Sequence, residues 1–193
     1  MTPIVLASTS RYRRDLLQRL RLPFDVVAPG VDEAALAGES PRATAVRLAR
    51  LKAEAGAALH PAAIVIGSDQ VADLDGRPIN KPGDHATAVA QLHAMSGRVV
   101  AFHTALAVID GRSTQVDCVT TTVHYRALTP AAIETYLRLD QPYDCAGSAR
   151  IESLGVCLVD RIHSGDPTAL VGLPMIRLTA MLAACGVDPL RPD

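Results

Sequence analysis

Apolar residues fall along this chain in short blocks whose spacing switches repeatedly between that of strands and that of helices. The run Pro3-Ile4-Val5-Leu6-Ala7 is continuous enough for a short buried strand, and the leucines of Asp15 to Leu20 recur at helical spacing, so the chain opens as strand, polar loop, helix. Phe24 to Val27 predicts a second short strand, followed by a loop carrying Asp32, Glu33 and Glu39. Ser40-Pro41 then supplies an N-cap and a first-turn proline for a helix to about Leu59, with Val46, Leu48, Ala49, Ala53 and Ala57 as its buried stripe. Lys52 falls inside that helix. Ala63 to Ile66 predicts a strand covered on both faces, ended by Gly67-Ser68-Asp69.

Further on, Asp75-Gly76 predicts a hairpin turn between Val71 to Leu74 and Pro78-Ile79. Asp84 caps a helix through Met95 that Ser96-Gly97 stops, and the β-rich runs Val99 to Ile109 and Gln115 to Tyr125 form a hairpin around Asp110-Gly111. Thr129-Pro130 opens a helix to about Leu139, Gly155 to Val159 reads as a strand, and Pro174 to Ala184 as a closing helix. This mixed order predicts an α/β fold, one domain over residues 1–193, with two lobes dividing near the central hairpin.

Composition narrows the possible partners. With 49% hydrophobic residues in 193, the chain can bury a proper core. A net charge of −1 and 3% aromatics, with no Trp, leave neither a general attraction for nucleic acid nor many stacking platforms for bases. The longest apolar runs, Ala62 to Ile66 and Ala105 to Ile109, fall far short of the roughly 20 residues of a membrane span, and Ile4 to Ala7 is too short for an export signal. The expectation is a cytoplasmic protein without a nucleic-acid or membrane partner. Cys118, Cys145, Cys157 and Cys185 form no C-x-x-C pair and read as reduced thiols. Any anionic ligand therefore needs a local cluster of donors.

Ser8-Thr9-Ser10-Arg11-Tyr12-Arg13-Arg14 lies between a strand and a helix start, where free amides, hydroxyls and guanidinium forks suit phosphate. A solvated basic first turn accounts for the same residues. Gly67-Ser68-Asp69-Gln70 places a carboxylate at a strand end, the sheet edge where α/β proteins bind ligands; an Asp capping a turn is the alternative. Lys52 and Lys81 gain meaning beside the arginines, because a triphosphate carries about four negative charges. The six histidines show neither triad nor metal spacing.

Taken in order, Leu6-Ala7-Ser8-Thr9-Ser10 with Arg13-Arg14, Asp32-Glu33, Lys52-Ala53, Gly67-Ser68-Asp69-Gln70, Asn80-Lys81-Pro82, Ser96-Gly97, His103-Thr104, Cys145-Ala146-Gly147-Ser148, Glu152, Gly155 and Gly172-Leu173-Pro174 resemble the Maf family of nucleotide pyrophosphatases. The resemblance implies a mixed sheet with flanking helices, two lobes around a central cleft in the inosine triphosphatase-like manner, a homodimer as common assembly, and hydrolysis between the α- and β-phosphates with Mg²⁺ or Mn²⁺. It also implies roles: Asp69, Lys52 and Lys81 catalytic, Ser8, Ser10, Arg13 and Arg14 on phosphate, Glu33 and Asp69 on metal. The physical reading is that cations cradle the phosphates while Asp69 activates water.

Tyr12, Gln70 and Glu152 stand at the positions that carry base choice, and they resemble the branch acting on 7-methyl-GTP rather than the dTTP/UTP branch. Methylation at guanine N7 makes the base cationic, which suits an aromatic face and a carboxylate. Two departures bear on loop geometry there: Arg11 stands where Pro is common, and Ser153 where Gly is. The alternatives are hydrolysis of dTTP and UTP on the same framework, and a non-catalytic nucleotide-binding regulator of cell division. Against the latter, a pure phosphate binder has no use for the carboxylate of Asp69 unless a metal intervenes.

Overall fold

The computed structural model describes residues 2–191. Seven strands join in one mixed sheet: β1 (Ile4–Ala7), β2 (Asp25–Val27), β3 (Ile64–Leu74), β4 (Arg77–Ile79), β5 (Val99–Ile109), β6 (Thr114–Tyr125) and β7 (Val159–His163). Five α-helices cover it: α1 (Arg11–Gln18), α2 (Pro41–Leu59), α3 (His85–Met95), α4 (Pro130–Asp140) and α5 (Met175–Ala184). The spatial order is β2-β1-β3-β5-β6-β7, with β4 attached to β3. β2, β1 and β3 run parallel, and β3 to β7 pair antiparallel.

Several elements start where local chemistry dictates. Ser40, Asp84 and Thr129 accept the third-residue amides of α2, α3 and α4 at 3.3, 2.8 and 3.2 Å, satisfying donors a helix end leaves free. Asp75 and Gly76, at φ 54° and 80°, make the primed turn of the β3–β4 hairpin.

Other elements differ from expectation. Gly67-Ser68-Asp69 do not end a strand: β3 runs to Leu74, because β5 pairs with it from Val65 through Asp73 and overrides three turn-prone residues. Gly155 to Val159 is not a strand. Leu154–Leu158 is a 3-10 turn, in which a Cβ on Gly155 would fall 2.4 Å from the Arg150 carbonyl oxygen, and β7 begins only at Val159. α1 begins at Arg11, so the basic cluster is its first turn. The stripe of α2 is rotated from the one expected: Ala45, Leu48, Ala49, Lys52, Ala53 and Gly56 are buried, while Val46 and Ala57 are partly exposed.

The lobe division also departs from expectation, since it cuts across the long strands rather than between them in sequence. One core gathers Ile4, Leu6, Ile64, Ile66, Leu106 and Val108 with α1 and α5. The other gathers Ala72, Leu74, Val100, Phe102, Val123 and Tyr125 with α3 and α4. On one edge of β3, β1 pairs as far as Gly67 and β4 takes over only at Ala72. Ser68 to Val71 therefore lack a strand neighbour there, and the gap between the two cores is a cleft. Among the described residues, no helix is long and apolar enough to cross a membrane.

Candidate active site

The cleft has a volume of about 700 Å³. At its floor the Lys52 ammonium, on the buried face of α2, lies 2.7 Å from Asp69 Oδ1 and 2.8 Å from Glu33 Oε1. A charge that deep persists only when paired, and here two carboxylates pair it. Asp69 Oδ2 makes no hydrogen bond within the described chain and is not among its fully buried unpartnered atoms, so the small exposed part of Asp69 faces the cleft.

The first turn of α1 closes one end. Ser10 is its N-cap, accepting the Arg13 amide at 3.4 Å, and the buried Ser8 hydroxyl accepts from the Ser10 amide at 3.2 Å and from Arg13 Nη1 at 3.4 Å. Arg13 Nε donates to the Gly172 carbonyl at 2.9 Å, and with Nη1 on Ser8 this leaves Nη2 as the unspent part of a fork that lines the cleft. Desolvation lowers the Arg13 pKa, opposed by Asp69 and Glu33, both near enough to favour the cation. The amides of Arg11 and Tyr12 have no intrahelical acceptor, and both residues line the cleft. Arg14 is not brought to the site: it is exposed, lies 3.8 Å from Asp15, and is turned away from Arg13 by about 100° of helix. Lys81 also lines the cleft, beside Asn80, and is exposed.

Gln70 projects from the stretch of β3 that is open on one edge. Its amide nitrogen donates to Thr104 Oγ1 at 2.9 Å and to the Ala169 and Leu170 carbonyls at 3.0 Å each, which fixes the side chain and leaves only its oxygen for a ligand. The turn it grips is tied down by Asp166. That buried carboxylate accepts from the Thr168 amide and hydroxyl at 3.0 and 2.7 Å and from the Ile176 amide at 2.7 Å, joining the turn to the start of α5.

Beside the first turn of α1 the Tyr12 side chain meets Asp144, Cys145 and Glu152 in the cleft lining. The Tyr12 hydroxyl accepts from Arg11 Nη2 at 2.7 Å and Arg150 Nε at 3.1 Å, and Arg150 also reaches Asp144 at 3.4 Å and the Asp140 carbonyl at 3.0 Å. Glu152 is exposed at the cleft rim, and partial desolvation there pushes its carboxyl up from its ordinary value, offset by a backbone hydrogen bond and by Arg150 and Arg11. Asp144 and Arg150 are absent from the expected set. They lie 132 and 138 residues from Tyr12, and only their closeness to the Cys145 and Glu152 motifs hints at them.

Four cationic side chains (Arg11, Arg13, Lys52, Lys81) and four acidic ones (Glu33, Asp69, Asp144, Glu152) line the cleft, so its formal charge balances. A polyphosphate brings about four negative charges that this lining alone does not offset. Among the described residues, no group of three His, Cys, Asp or Glu side chains is placed to hold a metal ion. Glu33 and Asp69 still fit a hard divalent cation of the Mg²⁺ type, which takes one or two carboxylates and completes its shell with water and substrate phosphate.

Glu33 is carried by a loop held through Glu39. The Glu39 carboxylate accepts from Arg47 Nε and Nη2 at 2.8 Å each, from the Thr44 hydroxyl at 2.9 Å and from the Leu36 amide at 3.3 Å. The Arg47 bonds above all, helped by Leu36 and Thr44 and opposed by desolvation, hold its pKa down to about 2. A carboxyl lower in the folded chain than its unfolded value of about 4.3 stabilises the loop above that value and loses this contribution as pH falls toward the folded one. Exchange protection of the Leu36 amide should accordingly hold at neutral pH and decline below about pH 4.3. Protection that is flat through the acid range would disconnect Glu39 from the loop.

Two cores around a charged cleft on a mixed sheet define an α/β protein with a built polar site. The chain belongs to the family described as Maf-like protein, which it matches over residues 3–185. It is 57% identical to the 7-methyl-GTP pyrophosphatase of Bordetella avium, covering 97% of this chain and 95% of that one. It is 59% identical to the 7-methyl-GTP pyrophosphatase of Thiobacillus denitrificans, covering 97% and 94%. The solved structure of the Staphylococcus aureus Ham1 protein overlaps 64% of this chain and 71% of its own at a TM-score of 0.46 and 20% identity.

Proposed function

We propose that this chain is a nucleoside triphosphate pyrophosphatase that hydrolyses 7-methyl-GTP to the monophosphate and pyrophosphate. The observation that carries the reading is Asp69, with one oxygen held by Lys52 and the other facing the cleft that the first turn of α1 and Glu152 also line. The names carried by relatives at 57% and 59% identity support it.

In the proposed reaction a water hydrogen-bonded to Asp69 gives up a proton to the carboxylate as its oxygen bonds the α-phosphorus. The bond from that phosphorus to the bridging oxygen breaks, and pyrophosphate leaves with the electron pair. Arg13, the open amides of Arg11 and Tyr12, and Lys81 bind the phosphate chain and stabilise the departing charge. The Ser8 and Ser10 hydroxyls accept from Arg13 and the helix start, and each keeps its O–H to donate to a phosphate oxygen. Glu33 and Asp69 would hold Mg²⁺ or Mn²⁺, which when bound supplies the charge that the balanced lining lacks. Cytoplasmic location and a homodimer belong to the same reading.

For base choice, 7-methylguanine is a planar cation with N–H donors along one edge. Glu152 and the free oxygen of Gln70 can accept from that edge, and the Glu152 carboxylate also answers the charge. Hydrolysis of a nucleotide panel with Mg²⁺ or Mn²⁺ and identification of the products tests the activity: release of orthophosphate, or no turnover, sinks it. A preference for dTTP and UTP would move the chain to the other base class. Glu152→Gln should reduce kcat/KM for 7-methyl-GTP by about 1–3 kcal/mol of transition-state binding, with a smaller loss for GTP and UTP. Equal losses on all three would remove Glu152 from base selection.

A further inference from the structure

Arg11 stacks on Tyr12, its guanidinium carbon 4.8 Å from the ring centroid, while Nη2 lies 3.5 Å from Asp144 Oδ2. Its charge is also felt by Glu152, whose carboxyl it favours in the ionised form. Nothing in α1 itself calls for this residue. A cation in the first helical turn opposes the helix dipole, and Pro is well suited to that position. The guanidinium is a planar, delocalised cation with edge-on N–H donors, resting on an aromatic face beside two carboxylates. Those properties are the ones by which an N7-methylated purine would be recognised at the same place.

We propose that Arg11 is a built-in stand-in for the cationic base: in the free protein it occupies the base subsite on Tyr12, and substrate must displace it. The inference rests on the assignment of 7-methyl-GTP above and adds Asp144 as a base-recognising carboxylate. The side chain is 58% exposed and anchored only at its tip, so it can swing into solvent. When it does, Asp144 keeps one cationic partner, Arg150 at 3.4 Å, beside the neutral Tyr12 hydroxyl at 3.3 Å and the Cys145 thiol at 3.5 Å. A cationic base restores the lost pairing and stacking like for like. A neutral purine stacks without restoring the charge, so displacing Arg11 discriminates by charge.

Because this competition precedes chemistry, it acts on binding and not on the reacting bonds. Arg11→Gln, and Arg11→Ala as a second variant, both of which keep the backbone amide at that position, should each lower KM for 7-methyl-GTP by about 3- to 10-fold, the combined scale of an exposed cation–π contact and a surface ion pair. kcat should stay within about twofold. Inhibition by inorganic tripolyphosphate, which has phosphates but no base, should not tighten. Asp144→Asn should narrow the kcat/KM ratio of 7-methyl-GTP over GTP by a similar 3- to 10-fold.

An unchanged or higher KM in both Arg11 variants overturns the proposal, since loss of a simple phosphate-attracting cation would raise it. Equal tightening of tripolyphosphate overturns it as well, and so does an unaltered ratio in Asp144→Asn. Failure of the underlying assignment looks different: the wild-type protein would then show no preference for 7-methyl-GTP in the panel, whatever the Arg11 variants do.

Discussion

Asp69→Asn should fold normally and lose turnover by about two orders of magnitude or more, the contribution of a positioned general base. Asparagine keeps an oxygen where Asp69 Oδ1 now accepts from Lys52 at 2.7 Å, and Lys52 keeps Glu33 at 2.8 Å, so the buried cation retains acceptors on both sides. What disappears is the second carboxylate oxygen that faces the cleft. At saturating Mg²⁺ the loss should fall mainly on kcat, because the phosphate contacts assigned to Arg13 and Lys81 are untouched and Glu33 remains as a carboxylate for the metal. Measured pyrophosphate release, with circular dichroism to establish folding, checks this. A folded variant turning over at near-normal rate would place the base elsewhere and reduce Asp69 to a counter-ion for Lys52.

The balance of charge in the cleft makes the acidic side chains as informative as the basic ones. From sequence, the lysines and arginines read as a cradle for phosphates. In the structure Lys52 is already paired by two carboxylates, whereas Arg13 is positioned by the neutral acceptors Gly172 and Ser8 and keeps its charge for a ligand. The effect is preorganisation: the charges are fixed before substrate arrives, and the alignment a mobile lysine would have to achieve during the reaction is already made.

Which parts of this arrangement could be read in the sequence follows from the range of the forces involved. Helix starts at Ser40, Asp84 and Thr129 were legible because each cap bonds an amide three residues on. So was the Asp75-Gly76 turn, which requires two residues tolerant of positive φ. The length of β3 was not, because its continuation through Gly67, Ser68 and Asp69 is imposed by β5, 36 residues later in the chain by the pairing of Asp69 with Ala105. Arg14 looked equivalent to Arg13 in a list of residues, and only the position of α1 against the cleft separates them. The Tyr12, Asp144 and Arg150 network joins segments more than 130 residues apart, and no local pattern encodes it. Motif order brought most of the expected site residues to one cleft. It could not say which of them were already bonded to each other.

Gly67→Ala should be the most damaging single-methyl change near the site. A Cβ there would stand 2.3 Å from the Ala49 carbonyl oxygen, 2.5 Å from the Ala53 nitrogen and 2.9 Å from the Ala53 Cβ. Two of these are backbone atoms of α2, so no side-chain rotation relieves the overlap and the helix must move off the sheet. Overpacking of this kind costs about 3 kcal/mol, the upper part of the usual range. Urea unfolding should show it as a lower midpoint with little change in slope. The displacement is felt directly by Lys52, the neighbour of Ala53, whose reach to Asp69 depends on how closely α2 lies on β3. Turnover should therefore fall by about tenfold or more even at temperatures where the variant remains folded, as expected when a catalytic group is misplaced by a fraction of an ångström. Gly165→Ala is the control: a Cβ at that position meets nothing within 4 Å, and its effect should stay within about 0.5 kcal/mol. If Gly67→Ala unfolded at the same urea concentration as Gly165→Ala, the close seating of α2 on β3 would not be what brings Lys52 to Asp69, and the preorganised pair at the cleft floor would need another cause.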